Sequence, residues 1–176
     1  MSKVSDRLLD AAEHRIRTAG FHAVSFRDLA GDLGIKSASV HYHFPKKEDL
    51  GVAVIDRYAR AFFDGYAQRT EAGEEPVTVF VDLYRQALTS SETACLCGVM
   101  GAEALGLPEP VQERVRDFLR ENIRVLAKAL GRGDRPDPEI RATQSVAALQ
   151  GAMMLAINLR DNAIFEAVAQ RVERGM

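Results

Sequence analysis

Between residues 36 and 47 the run Lys36-Ser37-Ala38-Ser39-Val40-His41-Tyr42-His43-Phe44-Pro45-Lys46-Lys47 gathers hydroxyl, imidazole, phenol and ammonium groups into one short segment. Such groups donate to and accept from base edges and neutralise phosphates. At helical spacing Val40 and Phe44 fall four apart and turn inward, leaving Ser37, Ser39, His41, Tyr42 and His43 with polar tips outward or sideways. Ala38 is small enough for close backbone approach. Lys46 and Lys47 open a further helix, whose free N–H groups and positive dipole end also suit a phosphate. His41 and His43 are two apart on a helix and diverge, so no metal site and no cofactor are expected.

The second reactive feature is the pair Cys95 and Cys97. Residues at i and i+2 of a helix do not face each other, so an internal disulfide is strained. Buried packing is the default reading, with sensing of an oxidant or electrophile as the functional alternative. A thiol enzyme pairing one of these cysteines with a histidine lacks geometric support. His14, His22, His41 and His43 all precede residue 44, and there is no Gly-rich phosphate loop, serine elbow or paired metal motif.

The elements that must position these residues are all helical. Apolar residues recur at three- and four-residue spacing almost throughout, without strand-like alternation. Breakers at Gly20, Gly34, Pro45, the Gly73-Glu74-Glu75-Pro76 turn, the Ser90-Ser91-Glu92-Thr93 patch, Gly106-Leu107-Pro108 and the 131–136 loop delimit about nine helices. The first is predicted over 5–19, with Leu8, Leu9, Ala12 and Ile16 inward and Gly20 closing it. Ser25 and Asp28 form a variant capping box, so a short second helix starts at Phe26, turns Leu29, Ala30 and Leu33 inward and ends at Gly34. A third starts at Ser37, with Ser37 as its cap, and stops before Pro45. Two short helices around a glycine turn are a helix-turn-helix signature.

The 176 residues, 47% of them hydrophobic, suffice for one large or two small domains. The net charge of −2 does not exclude a nucleic-acid partner, because a local cluster of cations is enough. Residues 1–60 hold ten Lys/Arg against eight Asp/Glu, while the remainder is acidic. The start of the chain is unlike a secretory leader, and no apolar run approaches the roughly 20 residues that span a bilayer. A cytoplasmic protein without a membrane partner is expected.

The chain resembles the TetR (tetracycline-repressor) family through Leu9-Asp10-Ala11-Ala12, Gly20-Phe21, Ser25-Phe26-Arg27-Asp28-Leu29-Ala30, Leu33-Gly34-Ile35 and Val40-His41-Tyr42-His43-Phe44-Pro45-Lys46-Lys47-Glu48-Asp49-Leu50. The resemblance implies an all-α homodimer. A three-helix helix-turn-helix DNA-binding domain over 1–46 would precede a ligand-binding and dimerisation bundle over 47–176. It further implies a palindromic double-stranded DNA operator and release by a small molecule. The DNA-facing set is Ser25, Arg27, Lys36, Ser37, Ser39, His41, Tyr42, His43, Lys46 and Lys47. Within it Arg27, Ser37, Ser39, His41 and His43 fall on base or backbone contacts of the family, and Lys47 on a phosphate contact. Three positions depart from the pattern. His41 stands where tyrosine is most frequent, with Tyr42 one place later, so either ring is a candidate contact. Arg15 occupies a usually apolar position of the first helix, and Lys46 a position that commonly carries a Ser/Thr-like cap.

In the bundle, Phe62, Phe63, Tyr66, Phe80, Tyr84, Cys97, Met100, Phe118, Met153 and Met154 are the candidate pocket lining, with Glu103, Gln150 and Asn158 as polar contacts. By resemblance the last two helices pair with their symmetry mates, through Val146, Leu149, Met153, Ala156 and Ile157 of the eighth and Ile164, Phe165, Val168 and Val172 of the ninth. Two other readings are a thiol-responsive repressor using Cys95 and Cys97 and a dimeric adaptor that does not bind DNA.

Overall fold

A computed structural model describes residues 3–89, 93–133 and 136–175, and every regular element among them is helical. The polar patch at 90–92 and Asp134-Arg135 of the long loop lie outside the described residues. The elements are α1 (Lys3–Ala19), α2 (Phe26–Leu33), α3 (Ser37–His43), α4 (Lys47–Glu71), α5 (Pro76–Thr89), α6 (Leu96–Ala102), the 3₁₀ turn η1 (Ala104–Gly106), α7 (Glu109–Leu130), α8 (Pro138–Leu159) and α9 (Ala163–Glu173).

The stops follow local chemistry. Gly20 (φ 86°) and Gly34 (φ 64°) adopt the left-handed conformation, which strains residues that carry a Cβ. Phe44, before Pro45, is extended (φ −134°, ψ 96°) and ends α3 as expected of a pre-proline residue. At the start of α2 the Ser25 hydroxyl accepts the Asp28 N–H at 3.1 Å and donates to Asp28 Oδ2 at 2.6 Å.

Two compact units result. The first comprises Met1–Ala59 with Leu96–Arg116, the second Arg60–Cys95 with Asp117–Met176. The division expected at residue 46 therefore falls short of the first unit. The opening half of α4 belongs there because Leu50, Val54 and Ile55 are buried and Arg57 binds Asp10 (2.7 Å) and Glu13 (3.0 Å) of α1. Helix α6 joins the same unit by packing on α1. This core gathers Leu8, Leu9, Ala12, Ile16, Leu29, Val40, Leu96 and Met100, all essentially inaccessible.

In the second unit α5 packs on α8 and α9, and α8 on α9. Ion pairs reinforce it. Arg69 bridges Glu74 and Asp82, and Arg85 bridges Asp82, Glu166 and Glu173, tying the end of α4 to α5 and α5 to α9.

Candidate nucleic-acid interface

Helix α3 is set on the first unit by Val40 and Phe44, both buried, which leaves its other faces to solvent. Ser37, Ala38, His41 and Tyr42 are exposed, and Ser39 and His43 half-buried. Tyr42 is 83% exposed. His41 leans edge-on against the Phe26 ring of α2, with centroids 4.8 Å apart, and His43 stands edge-on to Tyr42 at 5.2 Å. The two candidate rings thus differ: Tyr42 projects outward, whereas His41 is partly committed to the α2–α3 contact.

Ser37 is not the cap of α3. Lys36 holds that position and makes no side-chain cap bond, its carbonyl accepting the Ser39 N–H at 2.8 Å, so Ser37 is the first helical residue with an exposed side chain. Ser25 donates its hydroxyl hydrogen to Asp28 Oδ2, and its side chain shapes the start of α2. Arg27 and Lys36 are exposed, and no partner for either charged group is found among the described residues.

Lys46 is exposed and pairs with Glu48 at 3.1 Å, which raises its pKa. With no Ser/Thr-like cap at this position, only the return half of a capping box is made, Asp49 Oδ2 accepting the Lys46 N–H at 2.9 Å. Lys47 is half-buried. Its ammonium donates to the His22 carbonyl at 3.1 Å and lies 4.7 Å from the centre of the Phe21 ring. Burial draws its pKa below the ordinary lysine range, while the negative charge of Glu103 opposes the shift.

The expected pocket residues separate. Cys97, Met100 and Glu103 belong to the first unit, where Cys97 and Met100 are core. Glu103 is not free for a ligand, because its Oε2 accepts the Phe21 N–H at 2.7 Å. Asn158 is exposed and donates to the Met154 carbonyl of its own helix, and Met154 is exposed as well. What does assemble is an aromatic cluster in the second unit. Phe62 meets Phe63, Phe80, Tyr84 and Phe118 edge-on at 5.3–5.7 Å, and Tyr66 meets Phe80 at 6.4 Å. Met153 is buried in the same unit.

One polar group among these rings is absent from the sequence reading. Asn122, fully buried, accepts from the Tyr84 hydroxyl at 3.0 Å and donates to the Phe118 carbonyl at 2.9 Å, and Gln150 donates to the Tyr84 oxygen at 3.4 Å. It was legible as the polar member of the inward stripe Val115, Phe118, Asn122, Leu126 of α7. Cys95 and Cys97 are both buried.

The expected dimer residues divide by burial. Val146, Leu149, Met153 and Ala156 of α8 and Phe165 and Val172 of α9 are buried within the single chain, while Ile157, Ile164 and Val168 are half-buried. The face of α8 left open is another one, carrying Ile140 (58% exposed), Met154 (56%), Leu155 (45%) and Leu159 (63%). Gly151 sits on it with open space where a Cβ would project. Helix α8 is apolar on two sides, and only the packing tells which side the chain's own bundle takes.

Residues 8–54 match the family model described as bacterial regulatory proteins, tetR family. The HTH-type transcriptional repressor KstR2 of Mycolicibacterium smegmatis is 28% identical over 87 residues, 49% of this chain and 42% of that repressor. Among solved structures, a TetR transcriptional regulator from Legionella pneumophila superposes with a TM-score of 0.91 at 29% identity, covering 100% of this chain and 98% of that one. A TetR-family transcriptional regulator from Agrobacterium tumefaciens gives 0.90 at 26% identity, covering 97% and 96%. Among the described residues no helix is long and apolar enough to cross a membrane.

Proposed function

Because the chain belongs to the tetR family of bacterial regulatory proteins, we propose that it is a cytoplasmic repressor that binds a palindromic operator as a homodimer and releases it when a small molecule enters its C-terminal bundle. It is a DNA-binding transcriptional regulator, not an enzyme. The observation that carries the reading is α3, anchored by Val40 and Phe44 with Tyr42, Ser37 and His41 projecting from it. A recognition helix so mounted enters the major groove, about 12 Å wide, while Arg27, Lys36 and Lys47 serve phosphates.

The open face of α8 supports the dimer. A contiguous exposed apolar face marks an interaction surface, and a second copy of the same helix brings a matching one. For the ligand, the Tyr84–Asn122–Gln150 network offers donors and acceptors within an aromatic surround, which suits a largely apolar molecule with one hydrogen-bonding group. Release then requires that the ligand bind the DNA-free state more tightly than the DNA-bound one.

Selection of bound fragments from a random duplex pool, followed by footprinting, tests the reading. Inverted half-sites about one turn apart, roughly 34–36 Å, are expected. Failure to enrich any sequence, or enrichment of a lone half-site, would overturn it.

A further inference from the structure

We infer that Glu103 is a positioning residue for DNA binding: by holding the corner Gly20–Phe21–His22 it sets the place of the Lys47 ammonium, and through Lys47 the grip of the first unit on a phosphate. The inference rests on the reading of Lys47 as a phosphate contact.

Three observations within the first unit carry it. The Glu103 carboxylate, 82 residues downstream, accepts the Phe21 N–H at 2.7 Å. The corner is shaped to admit it, since a Cβ on Gly20 would lie 2.3 Å from Glu103 Oε1. A carboxylate here faces the negative end of the α1 dipole, an unfavourable place unless a cation attends it. Lys47 is that cation, and its charged form is favoured by Glu103.

Lys47 reads the corner directly. It donates to the His22 carbonyl and covers the Phe21 ring, so one of its three protons and its apolar stem are committed to the two residues that follow Gly20. The remaining protons point from a fixed base instead of a free side chain, and a prepositioned donor loses less entropy on meeting a phosphate. The turn η1 presses on the same corner, a Cβ at Gly106 falling 3.1 Å from His22 Nε2. Displacement of α6–η1 would therefore withdraw Glu103, loosen the corner and leave Lys47 without its fixed base.

The test uses the full chain and a generic random-sequence DNA duplex, with affinity followed by fluorescence anisotropy across a series of KCl concentrations. Lys47→Ala should lower the salt slope by about one per protomer and weaken binding roughly tenfold near 0.1 M salt. Glu103→Ala should do the same, and the double variant should be no weaker than Lys47→Ala alone. Glu103→Gln keeps an acceptor at the same reach and should retain the parent slope. Glu103→Asp keeps the charge but falls a methylene short, and should resemble the alanine variant, which keeps the question answerable if Glu103→Ala does not fold. Parental slopes for the Ala and Asp variants alongside a reduced slope for Lys47→Ala overturn the role of Glu103 alone, as does additivity in the double variant. An unchanged slope for Lys47→Ala overturns the phosphate reading and this inference together.

Discussion

The Arg15 guanidinium of α1 lies fork to fork on the Asp32 carboxylate of α2, with Nε to Oδ2 at 2.5 Å and Nη2 to Oδ1 at 2.8 Å. An arginine at a usually apolar position of α1 is thereby explained as a strap between the first two helices. The hydrogen bond from Arg15 lowers the Asp32 pKa below its ordinary 3.8. With the folded pKa depressed, the stabilisation is fully present above the unfolded value and is lost as pH falls through the folded one. Asp32→Asn should lower the urea midpoint at pH 7, and the gap from the parent protein should close below about pH 3.8. A gap that widened on acidification would refute the assignment. The pair is exposed, so the effect is small.

Tyr42→Ala should weaken operator binding about five- to tenfold, the worth of roughly one hydrogen bond, while leaving the melting temperature unchanged because the ring is mostly in solvent. His41→Ala should reduce stability as well, since it removes the edge contact with Phe26, a pairing worth about 0.5–1.5 kcal/mol. Calorimetry alongside binding titrations separates the two. Equal binding losses with no stability difference would contradict the geometry.

The two faces of α8 predict opposite phenotypes. Met154→Glu combined with Leu159→Glu places charges on the open face and should yield folded monomers at micromolar concentration by sedimentation equilibrium. Leu149→Ala, on the buried face, should instead cost about 2–5 kcal/mol of fold stability. A dimer that survived both glutamates would move the interface elsewhere.

Tyr84→Phe leaves the buried Asn122 oxygen without its donor and Gln150 without its acceptor. Loss of about 1–3 kcal/mol is expected in urea denaturation. Asn122→Leu in the Tyr84→Phe background should recover part of it, because removing both polar partners relieves the desolvation penalty. No recovery would mean that Asn122 is held chiefly by its bond to the Phe118 carbonyl.

Gly34→Ala should cost about 1–2 kcal/mol, the strain of a left-handed alanine, since nothing stands near its Cβ. Gly20→Ala bears the same strain and also drives a methyl against Glu103, so its loss in denaturation should be the larger. Equal losses would show that Glu103 yields freely.

The helix-turn-helix was legible in the sequence because its signals act within four residues: Ser25 on Asp28, the left-handed Gly20 and Gly34, and Pro45 on Phe44. The inward turn of Val40 and Phe44 followed from helical spacing alone. The all-helical class came from the same short-range periodicity. What tertiary structure decided lies where one residue's partner is distant in the chain or where a helix offers two equivalent faces. Nothing local assigns Glu103 to the Phe21 N–H, Arg15 to Asp32 or Asn122 to Tyr84. Nor does periodicity choose between the Leu149 and Met154 sides of α8, since both are apolar and burial by the chain's own α5 and α9 makes the choice. Spacing determines which side chains share a face, while packing determines what that face meets.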